Sequence, residues 1–432
     1  MFTSNSPALS KEDVHAPGIC HGLLLLPSLQ LSVPPTVVKQ AYTETISQSL
    51  ERLWQDIREY DANVLTRLEI CLLFHGGSKA SRSSLFQDYQ KLIAEIYTIA
   101  CLCASQRNIE LDLPGGVDVR VYAVDAPLKG SKQISIEPED VASIAGPLST
   151  LHAFTSSKTN CLRAYMPASP ALRNAIENRD WGNYWSSCKH ADSIQYLGHP
   201  TGTAGLLLDD TILSNLLSSK VLNMHTKVAV GGTFDHLHMG HKLLLTATIF
   251  VAQPGPADRE ITIGITGDEL LVNKKHASAL ESWDVRQQKA AEFVESILVF
   301  HPDVKSIRKT EDIDDAGPNG KVVRVVYQVA PGSGKITINY TRISDPFGPT
   351  ITDESITALV ISAETRAGGK AVNDKRSEKG WAALEVFEVN VLDPSSVTDT
   401  NKAESTNFAT KISSTEIRKR LAQAVPTASG AT

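Results

Sequence analysis

The segment from Lys227 to Ile249, with the sequence KVAVGGTFDHLHMGHKLLLTATI, constrains the fold of this chain more than any other stretch. Its apolar start, Val228–Val230, is typical of the end of a buried strand. The pair Gly231–Gly232 follows at once, and glycine either lets the backbone approach a ligand closely or takes the positive φ that side chains disfavour. The segment therefore predicts a buried strand that ends in a tight glycine turn.

Two histidines follow this turn, at the start of a new apolar pattern. His238 and His241 are three residues apart, so a helix that begins near Met239 places both imidazoles on one face of its first turn. The first turn of a helix carries unpaired N–H groups and the positive end of the helix dipole, which suit a phosphate group. The alternatives are capping, packing or half of a metal site, but no third metal ligand stands at a useful spacing. We therefore expect a nucleotide site here.

A second polar motif lies near the C-terminus, where residues 412–418 have the sequence ISSTEIR. Ser413, Ser414 and Thr415 precede a basic helical pattern, and taken alone they predict no more than the N-cap of that helix. The two motifs are separated by roughly the length of one nucleotide-binding domain. Together, and in this order, they favour a shared phosphate site.

The two motifs resemble the (H/T)xGH and ISSTxxR elements of the nucleotidyltransferase superfamily. Two further blocks, DPFGPT at 345–350 and VISAETRAGGKAVNDKR at 360–376, narrow the resemblance to eukaryotic phosphopantetheine adenylyltransferases. The resemblance spans residues 227–421 apart from an expected insertion at 305–343. The sequence GSGK at 332–335 lacks the spacing of a kinase phosphate loop, so the chain resembles the monofunctional fungal form more than the bifunctional coenzyme A synthase of animals.

The resemblance implies a particular reaction. The phosphate of 4'-phosphopantetheine attacks the α-phosphorus of ATP and yields dephospho-coenzyme A and pyrophosphate. Mg²⁺ is expected with ATP, although no carboxylate cluster identifies metal ligands in the chain. Two alternatives stay open. One is another nucleotidyltransferase of the same fold, such as a nicotinamide mononucleotide adenylyltransferase or a cytidylyltransferase, and the other is a scaffold subunit that gathers other coenzyme A enzymes.

The resemblance also assigns roles to individual residues. The catalytic set is His241, Thr233 and Lys274, with the adjacent Lys275 as the alternative lysine. The ATP-binding set is Gly231, Gly232, His238, Gly240, Ser413, Ser414, Thr415 and Arg418. Three basic residues of the block at 360–376 are candidate contacts for substrate or nucleotide, namely Arg366, Lys370 and Arg376.

The rest of the chain predicts an α/β protein of more than one domain. The catalytic part, 225–424, is expected to be a Rossmann-like nucleotidyltransferase domain with a parallel sheet. A smaller α/β domain of unassigned role is expected at 18–220, with disordered ends at 1–17 and 425–432. The predicted strands of this first domain are Leu23–Leu26, Leu68–Phe74 and Val117–Val124, and its predicted helices are Val37–Tyr60 and Ser84–Ala104. Within the insertion, two alternating runs around Pro331–Gly334 predict a β-hairpin that decorates the surface.

Composition excludes some classes of protein. The net charge of -6 gives no reason to expect a nucleic acid partner. The six cysteines form no CxxC pair and follow no secretory signal, which favours a reducing compartment. No apolar run is long enough for a membrane span, so we expect a cytoplasmic location and no membrane partner.

Overall fold

A computed structural model describes most of the chain. The described residues are 11–15, 20–29, 33–75, 81–130, 139–159, 161–181, 184, 194–199, 224–316, 320–390, 392 and 413–424. They form two α/β units, as the sequence predicts, each with its own sheet. Of the expected disordered ends, residues 425–432 lie outside the described residues. Residues 11–15 instead form a short helix, because Val14 is 2% exposed and its carbonyl bonds to His21.

The first unit contains a six-stranded, fully parallel sheet. Its strand order is β4-β3-β2-β1-β5-β6, the doubly wound arrangement in which the strand order reverses beside β1. The strands are β1 (Cys20–Pro27), β2 (Thr66–Phe74), β3 (Val117–Asp125), β4 (Leu148–Thr150), β5 (Cys161–Pro167) and β6 (Ile194–Leu197). The three strands predicted from sequence are confirmed.

Helices cover both faces of this sheet, as parallel strands require. They are α1 (Lys11–His15), α2 (Pro35–Arg58), α3 (Arg82–Gln106), α4 (Glu139–Ala142), α5 (Leu151–Ser157) and α6 (Pro170–Glu177). The two long helices predicted from their apolar spacing are α2 and α3, and both are confirmed.

The second unit contains a seven-stranded mixed sheet. Its order is β13-β12-β7-β8-β11-β10-β9, parallel from β13 to β11 and antiparallel at β10 and β9. The strands are β7 (Lys227–Gly232), β8 (Arg259–Thr266), β9 (Arg308–Ile313), β10 (Val322–Tyr327), β11 (Ile336–Ile343), β12 (Ala358–Ser362) and β13 (Glu385–Val389). Its helices are α7 (Met239–Val251), α8 (Trp283–Leu298), α9 (Val304–Ile307), α10 (Arg366–Glu378) and α11 (Ser414–Ala424).

The expected hairpin at 305–343 exists, but its predicted place on the surface is wrong. Strands β10 and β11 pair antiparallel, and β11 also pairs in parallel with β8 along its whole length. Ile336 and Ile338 are fully buried and Tyr340 is 1% exposed. Strand β11 is therefore an interior strand of the sheet, because its apolar face packs in the core beside β8.

The two units pack together through α3 and α7. Tyr89 of α3 stacks on Phe250 of α7 with ring centroids 3.9 Å apart, and the Arg82 guanidinium lies 4.9 Å from the same ring. Gly146 is packed so tightly that an added Cβ would overlap the Ile297 carbonyl. The apolar core is thus continuous from one unit to the other. Within the described ranges, no helix combines the length and apolar character needed to cross a lipid bilayer.

Candidate nucleotide site

The Lys227–Ile249 segment folds as the sequence predicts, into strand β7, a loop and helix α7. Strand β7 lies between β12 and β8, where the strand order of the sheet reverses. In α/β folds ligands bind outside the carboxyl ends of the strands at such a point. The loop from Thr233 to His238 occupies this position.

The expected positive φ at Gly231–Gly232 is not found. The left-handed residues are instead Phe234, with φ 52, and His236, with φ 46. Phe234 is fully buried, and its packing holds the strained backbone in place. The other predicted use of glycine fits Gly231, because a Cβ added there would meet no atom within 4 Å.

His238 and His241 stack on each other at the start of α7. Their ring centroids are 3.9 Å apart and their planes 19° apart. Burial lowers the pKa of His241 to about 4, and burial with the neighbouring His241 lowers the pKa of His238 well below its usual value. Both imidazoles are therefore neutral near pH 7. The Nδ1 atoms of both are buried without a hydrogen-bond partner among the described residues.

Gly240 lies against the His238 ring. A Cβ at this position would be 3.2 Å from Nδ1 and Cε1 of that ring, closer than ordinary van der Waals contact. The glycine between the two histidines therefore makes room for the stacked pair. This role is separate from the predicted contact with ATP.

Asp235 joins the two motifs. Its side chain is fully buried, and Oδ1 accepts a 3.0 Å bond from the Glu281 amide while Oδ2 accepts a 2.5 Å bond from Arg418. Its carbonyl accepts a 2.9 Å bond from the Ser414 hydroxyl. The sequence suggests only local hydrogen bonds within the turn for Asp235, because its actual partners lie far away along the chain. Through Asp235 the start of α11 is held against the histidine loop.

Arg418 is predicted to add charge at the nucleotide phosphates, but in the structure its side chain is buried against Asp235. Its side chain is 2% exposed. Besides Asp235, it donates to the Lys275 carbonyl at 3.0 Å and to the Thr415 hydroxyl at 3.2 Å. The start of α11, with Ser413 to Thr415 only partly buried, is the part of this motif that faces the loop.

Arg286 supports the same loop and was not predicted. It is fully buried and donates to the carbonyls of Thr233 at 2.7 Å, Thr266 at 2.9 Å and Glu281 at 3.1 Å. A cation in the first turn of a helix opposes the helix dipole. The unfavourable position of Arg286 in α8 is therefore the one sequence signal that could have indicated a special role for it. Its bonds fix the backbone of the candidate catalytic residue Thr233.

The structure separates the two candidate lysines. Both Lys274 and Lys275 are exposed, in the loop after β8. The Lys274 ammonium is close enough to lower the pKa of His241, whereas the Lys275 carbonyl is bonded to Arg418. Lys274 is therefore the lysine whose charge reaches the histidine pair.

The three basic residues of the block at 360–376 all lie on α10. Arg366 is 71% exposed and paired with Glu388, and Lys370 is 78% exposed and paired with Asp374. Arg376 is 1% exposed and donates to five backbone carbonyls, those of Thr350, Asp353, Glu354, Ile356 and Ala382. Its five N–H donors are thereby used within the fold.

The side chains of the site do not form a metal centre of their own. Among the described residues, no three His, Cys, Asp or Glu side chains are grouped so that they could hold a metal ion. The nearest carboxylate in the loop, Asp235, is already bonded to Arg418 and to the Glu281 amide. These residues therefore do not fit a resident Mg²⁺ site.

Comparison with known proteins gives one family model and several relatives. The family model "Domain of unknown function (DUF8446)" matches residues 13–176. An uncharacterized protein of Schizosaccharomyces pombe is 36% identical over 195 residues, which cover 45% of this chain and 48% of that protein. A protein of unknown function from Archaeoglobus fulgidus matches 39% of this chain and 100% of its own at 24% identity, with a TM-score of 0.25, too low to support any conclusion.

Two further relatives carry an enzyme name. The phosphopantetheine adenylyltransferase of Saccharomyces cerevisiae is 33% identical over 214 residues, covering 50% of this chain and 54% of that protein. That of Methanosarcina mazei is 31% identical over 166 residues, covering 38% of this chain and 80% of that protein. The chain thus spans about half the length of each fungal relative but most of the archaeal one.

The α/β fold, with the candidate site at the carboxyl end of β7, and these relatives define the class of the protein as the α/β nucleotidyltransferases. More narrowly, the chain belongs to the phosphopantetheine adenylyltransferase family.

Proposed function

We propose that this chain transfers the adenylyl group of ATP to 4'-phosphopantetheine, giving dephospho-coenzyme A and pyrophosphate, as one step of coenzyme A synthesis. The observation that carries the proposal is the neutral histidine pair at the start of α7, held beside the start of α11 through Asp235. Relatives from a yeast and an archaeon named phosphopantetheine adenylyltransferase support this choice of substrates.

The chemistry needs no general base. A phosphate monoester has its second pKa near ~6, so the attacking phosphate is mostly a dianion at neutral pH. The difficulty is electrostatic, because two polyanions must meet and the α-phosphoryl group gathers negative charge in the transition state. A neutral imidazole carries one N–H donor and suits this task. His241 is proposed to donate to the α-phosphoryl oxygens, and His238 to seat the nucleotide phosphates.

Helix α11 supplies the second half of the proposed phosphate site. The first four N–H groups of a helix lack partners within it, and the positive end of its dipole attracts phosphate. Ser413, Ser414 and Thr415 stand at this end. Because Arg418 is buried and bonded to Asp235, we assign it the positioning of these residues and not a direct contact with phosphate.

The exposure of the basic side chains supports the choice of the cations that contact the substrates. Lys274 is exposed and lies near His241, so its ammonium is placed to meet the phosphates with Thr233. Arg366 and Lys370 are exposed at the start of α10 and stay candidates for nucleotide contact. Arg376 is assigned a structural role, because its N–H donors bond to backbone carbonyls. Mg²⁺ is proposed to arrive with ATP as part of the substrate.

The test is an assay of purified chain with Mg²⁺-ATP and 4'-phosphopantetheine, in which pyrophosphate and dephospho-coenzyme A are measured. Nicotinamide mononucleotide and cytidine triphosphate serve as competing substrates. The proposal predicts product with 4'-phosphopantetheine and ATP, and little with either competitor. Preference for nicotinamide mononucleotide or cytidine triphosphate would instead support the other nucleotidyltransferase functions.

A pair of neighbouring variants tests the site within the same assay. Lys274→Met is expected to lower kcat/KM at least about tenfold, because it removes a cation from the developing charge. Lys275→Met is the matched control, since it removes the same charge one residue away, and its kcat/KM should stay within about twofold of the parent. Equal losses in the two variants would contradict the choice of Lys274.

A further inference from the structure

One turn of the first unit contacts both helices that carry the nucleotide motifs. This turn, Asn108–Val117, connects α3 to β3 and is called the acidic turn here. It is tightly wound, since Asn108 and Asp112 have φ of 53 and 61 and Gly115 has φ of 75. An added Cβ at Gly116 would lie 2.3 Å from the Glu110 carbonyl. The turn therefore presents its two carboxylates, Glu110 and Asp112, in fixed positions.

Asp112 meets α7 one residue after the second histidine of the motif. The Lys242 ammonium bonds to the Asp112 carboxylate, to Asp118 Oδ1 at 2.6 Å and to the Val119 carbonyl at 3.1 Å. Lys242 is 2% exposed, and the side chains of Asp112 and Asp118 are 9% and 8% exposed. The ammonium has three N–H donors, and the first unit supplies one acceptor for each. The result is a buried ion cluster that joins the two units.

Glu110 meets α11 at the other motif. Both of its carboxylate oxygens lie 3.1 Å from Arg420 Nη1, and the two side chains are 41% and 31% exposed. Arg420 is two residues beyond Arg418 on the same helix. The acidic turn thus reaches the histidine helix with one carboxylate and the serine helix with the other.

We propose that the first unit positions the adenylyl-transfer site, and that Asp112 and Asp118, acting through Lys242, set the orientation of the first turn of α7. Lys242, Asp112 and Asp118 are positioning residues, since they act through His238 and His241. This inference rests on the proposed function, and it gives the domain-of-unknown-function unit a task within the same reaction.

Electrostatics couple the cluster to the histidines. Burial, the neighbouring His241 and the Lys242 charge together lower the pKa of His238. Neutralising Asp112 leaves the buried ammonium with Asp118, a carboxylate that also pairs with Arg120, so the first turn of α7 shifts as Lys242 adjusts to its remaining partners. Displacements on the order of 1 Å at reacting groups cost roughly 100-fold in rate.

Asp112→Asn is the sharpest perturbation, because among the described residues the Asp112 carboxylate hydrogen-bonds to Lys242 alone. We expect kcat to fall roughly 10- to 100-fold with KM for 4'-phosphopantetheine within about threefold, since the histidine that is displaced, His241, is proposed to donate in the transition state. Lys242→Met should show a similar fall. The double variant should be no worse than Lys242→Met alone, because both substitutions break the same contact.

The matched control is Asp56→Asn. Asp56, 37% exposed, pairs with Arg163 at 3.2 Å inside the first unit, so the substitution makes the same acid-to-amide change at an ion pair that does not touch the second unit. Its kcat should equal that of the parent. Additive losses in Asp112→Asn and Lys242→Met, or a kcat for Asp112→Asn equal to that of Asp56→Asn, would overturn the proposal.

A readout without turnover separates this inference from the proposed function. In protein labelled with ¹³C-histidine, Asp112→Asn should shift the imidazole signals of His238, assigned with His238→Gln, whereas Asp56→Asn should not. Unchanged His238 signals in Asp112→Asn would overturn the positioning role even if the parent makes no dephospho-coenzyme A. If Asp112→Asn fails to fold, Glu110→Gln replaces it, with an expected rise in KM for ATP of about fivefold because the Arg420 pair on α11 is lost, and an unchanged KM counts against the proposal.

Discussion

The buried bond between Asp235 and Arg418 gives the most demanding prediction for the site. Asp235→Asn keeps the Oδ1 acceptor for the Glu281 amide but turns an amide N–H towards the Arg418 guanidinium. Both side chains are almost fully buried, at 0% and 2% exposure. Removing one partner of a buried ion pair leaves a desolvated charge and costs about 3–5 kcal/mol.

The expected result has a stability part and an activity part. The free energy of unfolding should fall by about 3 kcal/mol or more in urea titrations followed by tryptophan fluorescence. Catalysis should also fall, because Asp235 holds the start of α11 through the Ser414 hydroxyl and Arg418. In conditions where the variant is folded, we expect kcat to drop by roughly 100-fold.

The matched control makes the same acid-to-amide change at an exposed pair of the same unit. Glu378 pairs with Lys375 at 2.8 Å on α10, and the two side chains are 62% and 47% exposed. Glu378→Gln should change the free energy of unfolding by at most about 0.5 kcal/mol and leave kcat unchanged. Equal stability changes in the Asp235 and Glu378 variants would refute the claim that the buried bond joins the two motifs.

Two further predictions concern the histidine pair. The pKa of His241 is about 4 against 6.5 for an unperturbed histidine, so the unfolded chain gains a proton before the folded one, and stability falls as pH drops from about 6.5 to 4. An imidazole NMR titration of free protein with a His241 midpoint near 6.5 would contradict this. Gly240→Ala should displace the His238 ring and lower kcat roughly tenfold, whereas the control Gly368→Ala, whose Cβ meets no atom within 4 Å, should leave kcat unchanged. Equal kcat values in these two glycine variants would show that the ring has room to move.

The sequence predicts much of the fold because its strongest signals are local. Strands β1, β2 and β3 and helices α2 and α3 follow from apolar spacing, and the loop between β7 and α7 follows from its motif. Strand β11 was misplaced because Thr337, Asn339 and Thr341 alternate with its apolar residues and imitate an exposed hairpin, although Thr341 is only 2% exposed. Alternation reveals a strand, but its neighbours in the sheet depend on the whole fold.

The parts of the site that sequence could not predict depend on distant partners. Asp235 bonds to residues 46 and 183 positions away, and Lys242 bonds to residues more than 120 positions earlier. The motif assigns Arg418 to the nucleotide phosphates and leaves Lys242 without a role, and only the structure shows that both are buried against carboxylates. Spacing within a motif predicts which groups meet on one helix, but not which groups from another unit hold that helix.

The most direct test of the central claim is a crystal structure of the chain with bound dephospho-coenzyme A. The phosphates should lie between the histidine pair and the start of α11, with His241 and the residues Ser413–Thr415 within hydrogen-bond distance of phosphate oxygens. The account also predicts that Asp235 keeps its bond to Arg418. Dephospho-coenzyme A bound with its phosphates away from both the start of α7 and the start of α11 would contradict it.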